Sequence, residues 1–409
     1  MSKRVVITGM GVISPLGNSI PKYWESISKG KNGIKDITLF DTSEFQVHIA
    51  GESNIDLTNF LDSKLLNKID RFTAFALIAS KQAIKNSNLD INKIRSNRAG
   101  VIIGSGIGGM NTFESQHKRL LKNPKRVSPF FIPSMIPDIA SGYVALEHNF
   151  KGVNYSVVSA CASSTHSIGD AYRSIKHGYS DIVVAGGAEA SITPMAIAGF
   201  SNMKALTKNP DFKTASRPFD KDRDGFVISE GAGILVLEEL EHAKNRNAKI
   251  YSEIKGFGAT ADAYHITTPH PEAEGAIRSM KSAIKEASLN TNEIEYINAH
   301  GTSTQYNDLT ETKAIKSTFK HDVENLFISS TKSMIGHSLG ASGALEAIAT
   351  ILTIDNSIIT PTINYSSPDP ECDLNYVPNS SIEKSVTNAL SNSFGFGGHN
   401  ATLALGKYN

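Results

Sequence analysis

Short runs of β-branched and aliphatic residues alternate along the chain with longer stretches whose apolar residues recur at helical spacing. That pattern predicts an α/β protein with mostly buried strands. Strands are expected at 5–8, 99–103, 153–158, 182–185, 233–238, 251–258, 296–299, 326–329 and 401–404, and helices over 64–86, 161–177, 273–287, 310–319 and 340–355. No low-complexity linker separates two bodies, and the polar stretch 241–249 is the best seam, dividing 1–250 from 251–409. Two segments look alike: 157–161 leads from a strand into a small-residue helix, and 329–337 leads toward another. A duplicated fold accounts for this, and so does coincidence.

Composition narrows the picture. With 409 residues, the chain holds two or three domains of about 150 residues or one large duplicated one. Lys and Arg number 41 against 40 Asp and Glu, so a net charge of +1 gives no global field for a nucleic-acid backbone. Cys161 and Cys372 are the only cysteines, which excludes a disulfide scaffold and suits a reducing compartment. No stretch approaches the roughly 20 apolar residues that span a bilayer, and the best candidate, 341–354, carries Glu346. The basic start followed by Val5-Val6-Ile7 resembles a signal peptide, but Thr8, Gly9 and Gly11 interrupt it. A buried strand turning through Gly9-Met10-Gly11 is expected instead.

Four segments carry candidate chemistry. Gly104-Ser105-Gly106-Ile107-Gly108-Gly109 fits a dinucleotide fingerprint formally. The acidic residue that should follow about 20 positions on is replaced by Asn123-Pro124-Lys125-Arg126, which favours a loop with Ile107 facing a ligand. Cys161 stands at a strand-to-helix turn, where free N–H groups and the helix dipole favour a thiolate; a lone cysteine is otherwise usually a small buried hydrophobe. Cys372 has acidic neighbours and reads as structural. His300, in Asn298-Ala299-His300-Gly301-Thr302-Ser303-Thr304, and His337, in Lys332-Ser333-Met334-Ile335-Gly336-His337, each follow a strand, with hydroxyls and a lysine nearby and no metal-binding carboxylate cluster. Last, Phe394-Gly395-Phe396-Gly397-Gly398 reads as a mobile turn whose Phe396 N–H points at a substrate oxygen, or as a tight hairpin with core aromatics.

Taken in order, these segments resemble the decarboxylating β-ketoacyl-acyl-carrier-protein synthases of the thiolase superfamily, especially the type II enzymes. The likeness also runs through Ser128-Pro129-Phe130-Phe131-Ile132-Pro133, Ala185-Gly186-Gly187-Ala188-Glu189 and Arg217-Pro218-Phe219-Asp220. The resemblance implies a thiolase-like fold of two βαβαβαββ halves in a five-layered α-β-α-β-α arrangement, forming a homodimer. It implies that Cys161 accepts the acyl chain, that His300 and His337 hydrogen-bond the malonyl thioester carbonyl, and that the N–H groups of Cys161 and Phe396 hold the oxyanion. Lys332 then tunes the site electrostatically, Thr302 and Thr304 bind the phosphopantetheine arm, and Ile107 and Phe394 face the substrate. Lys64, Lys68, Lys125, Arg126 and Lys204 match the face that docks the acidic carrier protein. Asn298, Glu346 and Asn392 match positions that hold a structural monovalent cation; no cofactor is required.

Thiolases carry a second catalytic cysteine in the late glycine-rich turn, type III synthases replace one histidine by asparagine, and chain-length factors lose the nucleophile. None of these fits. Departures from the commonest pattern are Ser164, Ser229, Ser338 and Ser342, which bear on pocket shape. The function expected is acyl-chain elongation in the cytoplasm, Met1 lying close to the first strand. The alternatives are a ketosynthase of a polyketide or aryl-polyene pathway, a cysteine-dependent acyltransferase or hydrolase, and a non-catalytic binding subunit.

Overall fold

Ten strands make the principal sheet of the computed structural model, which describes residues 3–408. They are β1 (Val5–Ile13), β2 (Ala99–Gly104), β3 (Asn154–Tyr155), β4 (Ile182–Glu189), β5 (Gly231–Glu239), β6 (Ser252–Ala261), β7 (Tyr296–Asn298), β8 (Phe327–Ser329), β9 (Asn388–Gly395) and β10 (His399–Gly406). Their spatial order is β8-β7-β9-β10-β6-β1-β5-β4-β2-β3. Numbered within each set of five, both sets follow 3-2-4-5-1. In each, the second strand runs parallel to the third and fourth, and the fifth is antiparallel to the fourth and first. This repetition of order and direction is the duplication that the two small-residue segments hinted at. Within the sheet, among the described residues, the sets are joined where Val5, Val6 and Ile7 of β1 pair with Ile254, Glu253 and Ser252 of β6.

Helices complete five layers. Helices α1 (Arg71–Ser87) and α2 (Ile139–His148) cover the N-terminal strands on one side, and α4 (Glu274–Glu286) and α5 (Gln305–Phe319) cover the C-terminal strands on the other. Between the two sets lie α3 (Ser163–Lys176) and α6 (Ser342–Asn356), each touching strands of both. A helix packed on all sides cannot show a polar face to water, and α6 is buried continuously from Ser342 to Ile354. Its contact with α3 requires Gly343, where a Cβ would lie 1.9 Å from Thr165 Oγ1. No helix among the described residues is long and apolar enough to cross a membrane.

Several expected elements differ in extent. Gly9 and Gly11 do not turn the chain: β1 continues to Ile13, and a Cβ on Gly11 would sit 1.9 Å from the Ala79 carbonyl oxygen, so the glycines admit α1 against the strand. The helix expected at 64–86 is two, Ser63–Leu66 and α1, because the Asp70 carboxylate caps Phe72 N and ties down Thr112 N at 2.7 Å. The strand at 153–158 shrinks to Asn154–Tyr155 at the sheet edge. Strand β9 is absent from the hydrophobic pattern because its buried centre is Ser391-Asn392-Ser393.

The polar seam at 241–249 is held in place. Helix Leu240–Asn245 leads to Arg246, whose guanidinium meets both oxygens of buried Glu238 at 2.8 Å and donates to Ser87 O at 2.9 Å. Burial raises the Glu238 carboxyl, but hydrogen bonds from Arg246 and His242 outweigh it and hold the group below the ordinary range. This stabilisation is present above the unfolded-state pKa and is lost as pH falls through the folded one. Arg246→Met, leaving Glu238 buried without its cation, should destabilise the protein by about 3–5 kcal/mol. Thermal unfolding at neutral pH reads this directly, and an unchanged midpoint would show that the pair contributes nothing.

Candidate active site

Cys161 sits between β3 and α3, in a single tight turn, Ala160–Ala162, that runs into the helix. Ala160 takes a left-handed φ of 50°, which turns the chain sharply before the cysteine. The first hydrogen bond of this turn is Ala162 N to Ser159 O at 3.1 Å, so the Cys161 N–H precedes the bonded ladder. The β9–β10 hairpin lies against the turn: a Cβ on Gly395 would come within 3.1 Å of Cys161 N, and the Phe396 N–H donates to the thiol. Two N–H groups therefore flank the sulfur, one from each half of the chain.

The histidines come from loops that follow β7 and β8. His337 Nε2 lies 3.1 Å from Cys161 Sγ, its ring centre is 5.3 Å from that of His300, and the three ligating atoms converge within 4.8 Å. Burial and then Lys332 hold His337 well below its ordinary pKa; the same two causes, with His337 added, do so for His300. Both rings are neutral at physiological pH. Burial pushes the Cys161 thiol up to about 12, against the pull of Lys332 and of the Phe396 N–H. Desolvation thus outweighs the helix start, and the resting pair is a neutral thiol beside a neutral imidazole.

Lys332 is buried under the two rings. Its Nζ donates to His300 O at 2.7 Å, lies 3.3 Å from His300 Nδ1 and pairs with Glu346. An ammonium only donates, so Nδ1 accepts and the ring proton of His300 stands on Nε2, toward the cavity side. Burial raises the Glu346 carboxyl to about 7, with Lys332 pulling the other way.

Three supporting carboxylates escaped the sequence reading. Glu311 accepts from the N–H groups of His300 at 2.9 Å and Gly301 at 2.8 Å, and Asp308, one helical turn earlier on α5, accepts from Thr302 N at 3.0 Å. Glu189, at the end of β4, accepts from Gly106 N at 2.6 Å and Gly340 N at 3.0 Å and so joins the Ile107 loop to the start of α6. The available signal was Asp308-x-x-Glu311 on one helix face directly after the histidine loop.

A cavity of about 430 Å³ opens over the sulfur, lined by Ile107, Cys161, Phe200, Phe226, His300, His337, Thr302, Thr304, Phe394 and Phe396. Thr302 and Thr304 hydroxyls lie 2.8 Å apart on its wall. Of the basic residues singled out, exposed Lys204 reaches the cavity lining, whereas Lys64, Lys68, Lys125 and Arg126 are exposed away from it. Both side-chain polar atoms of Asn298, Glu346 Oε2 and Ser391 Oγ are buried without hydrogen-bond partners among the described residues, and Ser391 is the register partner of Asn298. Asn392 is committed elsewhere, to Glu311 at 3.2 Å and Thr402 at 3.0 Å.

Comparison with known proteins agrees with this geometry. The family described as beta-ketoacyl synthase, N-terminal domain, matches residues 2–243, and its C-terminal domain matches residues 251–366. The chain is 53% identical over 409 residues to 3-oxoacyl-[acyl-carrier-protein] synthase 2 of Staphylococcus aureus, covering 100% of this chain and 99% of that one. It is 52% identical to the synthase 2 of Synechocystis sp., covering 99% and 98%. Among solved structures, a ketosynthase from a type II polyketide complex with its acyl-carrier protein superposes with a TM-score of 0.94 at 32% identity. A β-ketoacyl synthase from Burkholderia phymatum does so at 0.92 and 35%, each pair covering 100% of both chains. With both domains matched and one architecture shared along its length, the chain belongs to the beta-ketoacyl synthase family and has its thiolase-like fold.

Proposed function

We propose that the protein is an elongating 3-oxoacyl-acyl-carrier-protein synthase that extends acyl chains by decarboxylative condensation with a malonyl thioester. The observation that carries this reading is the convergence of Cys161, His300 and His337 on one wall of the cavity. The 53% identity to synthase 2 proteins favours fatty-acid elongation over polyketide assembly, for which the similar solved ketosynthase is 32% identical.

The geometry suits two half-reactions. In the first, Cys161 Sγ attacks the acyl thioester carbonyl while its proton passes to His337 Nε2, 3.1 Å away, and then to the departing pantetheine thiolate. The Cys161 and Phe396 N–H groups face the oxyanion. In the second, the malonyl carboxylate leaves as carbon dioxide, and the enolate oxygen accepts from Nε2 of both histidines. The enolate carbon attacks the acyl-Cys161 carbonyl, and collapse releases the Cys161 thiolate and the β-ketoacyl product. Neutral rings are the right donors here, since the tautomer of His300 is fixed by Lys332.

The orphaned oxygens of Asn298, Glu346 and Ser391 fit a hard monovalent cation, which when bound supplies positive charge beside the Lys332–Glu346 pair. Thr302 and Thr304 hold the pantetheine arm, with Lys204 at its entrance and Lys64, Lys68, Lys125 and Arg126 meeting an acidic carrier protein. We assign a homodimer formed by edge strand β3, beside which Leu146, Tyr155 and Val158 are exposed. The two free cysteines accord with work in the cytosol.

Three outcomes are expected. Intact-mass spectrometry with long-chain acyl-carrier protein should show an adduct that Cys161→Ala abolishes and that malonyl-carrier protein discharges as a β-ketoacyl product two carbons longer; discharge to free acid would mean a hydrolase. His300→Ala should still form the adduct but lose decarboxylation by about 100-fold, as loss of an oxyanion donor does; equal loss of both half-reactions would remove its separate role. Because the thiol is held near 12, the alkylation rate of Cys161 by iodoacetamide should climb through pH 6–9, and a plateau near pH 6–7 would reveal a preformed thiolate.

A further inference from the structure

The two active-site histidines have partners of different character. Lys332 can only donate, so it fixes His300 with its proton on Nε2. His337 Nδ1 faces Ser342 Oγ at 2.8 Å, and a hydroxyl both donates and accepts. Ser342 is 2% exposed, and among the described residues its hydroxyl has no other hydrogen-bond partner. Its counterpart in the other half, Ser163 at the start of α3, is spent on backbone: it accepts from Ser159 N at 2.9 Å and donates to Ala160 O at 2.7 Å. At α6 the same kind of helix start instead leaves the hydroxyl to a catalytic ring.

The reaction places opposite demands on that ring. Acyl transfer needs Nε2 free, because it accepts the Cys161 proton across 3.1 Å, so the resting proton belongs on Nδ1. Condensation needs Nε2–H to donate to the malonyl carbonyl. We propose that Ser342 is a positioning residue that satisfies His337 Nδ1 in both tautomers, so that one ring serves as acceptor in the first half-reaction and donor in the second. The inference rests on the two-stage reading given above. Protons balance: the Cys161 proton goes to Nε2 and leaves with the pantetheine thiol, returning the Nδ1–H ring. Between the stages water delivers one proton to Nε2 and removes one from Nδ1, while the Ser342 hydroxyl turns from acceptor to donor. After condensation the Nε2 proton passes to the Cys161 thiolate and water supplies one to Nδ1, so the one proton that the reaction consumes comes from solvent and the resting pair is restored. The Phe226 ring, whose centre lies 5.2 Å from that of His337, offers no competing partner.

The test separates the half-reactions. Acyl transfer is followed as single-turnover adduct formation, and malonyl-carrier-protein decarboxylation is followed on enzyme whose Cys161 has been alkylated with iodoacetamide. Ser342→Ala should slow both by about tenfold, the effect of leaving a buried ring nitrogen unpaired, and should shift the pH profile of acyl transfer; Ser342→Thr, keeping the hydroxyl, should restore both. Loss of only one half-reaction would mean that the hydroxyl works in one direction, and loss of neither would make it a filler; either result overturns the proposal. Nitrogen-15 NMR of histidine-labelled wild-type protein bears on the point without a variant. His337 should carry its proton on Nδ1 in free enzyme and on Nε2 after alkylation, and one tautomer in both states also overturns it. Adduct formation surviving in Cys161→Ala would instead defeat the underlying two-stage reading.

Discussion

A ten-stranded sheet whose two halves share one inner layer of helices must bury the centre of that layer, and this requirement organises the molecule. Helix α6 meets it with Ala, Gly, Ser and Thr among its aliphatic residues, which let backbones approach closely, as at Gly343 against Thr165 of α3, while α3 keeps Arg173 exposed near its far end. Because the halves repeat one topology, the shared layer brings the starts of both helices to the same place. The turn before α3 presents Cys161, and the turn before α6 places Gly340 beside the Gly106 loop, with His337 just upstream. Neither set of strands alone encloses the cavity.

A dry centre imposes a second condition: buried charge must be matched. Glu189, Asp308 and Glu311 are spent on backbone N–H groups and act as clamps on the loops that carry Ile107, Thr302 and His300. Burial raises all three carboxyls; the N–H groups pull the other way at Glu189 and Glu311, and at Asp308 Arg223 does so first, with the N–H groups behind it. The same desolvation keeps the histidines and the thiol neutral, with the Lys332–Glu346 pair packed against His300. The convergent groups are thereby neutral, and His300 has its hydrogen-bond direction fixed by Lys332.

Strands with continuous aliphatic runs, such as Val5-Val6-Ile7 and Val183-Val184, were legible because each is buried on both faces and needs no long-range information. Cys161, His300 and His337 were singled out from local sequence alone, each in the segment that follows a strand, although a helical turn, Lys332–Ile335, separates His337 from β8. Strand β9 was not, since its polar centre is buried for the sake of the site and breaks the period-2 rule. The break at Asp70 was hidden because its second partner, Thr112, lies 42 residues away. The clamping carboxylates were invisible for a like reason: an acidic residue on an ordinary helix gives no sign that it faces inward until the loop it grips is folded beside it.

The three residue pairs that join β1 to β6 bear on how such a chain arose. One half, standing by itself, would leave the second side of its inner helix bare, and within the principal sheet these pairs alone join it to the other half among the described residues. A single-copy ancestor of this architecture would therefore persist only as a pair of identical chains around a common axis. Fusing the copies freed each from matching the other. That freedom allows one inner helix to begin behind a cysteine and its twin behind a histidine, an asymmetry that a pair of identical chains cannot acquire.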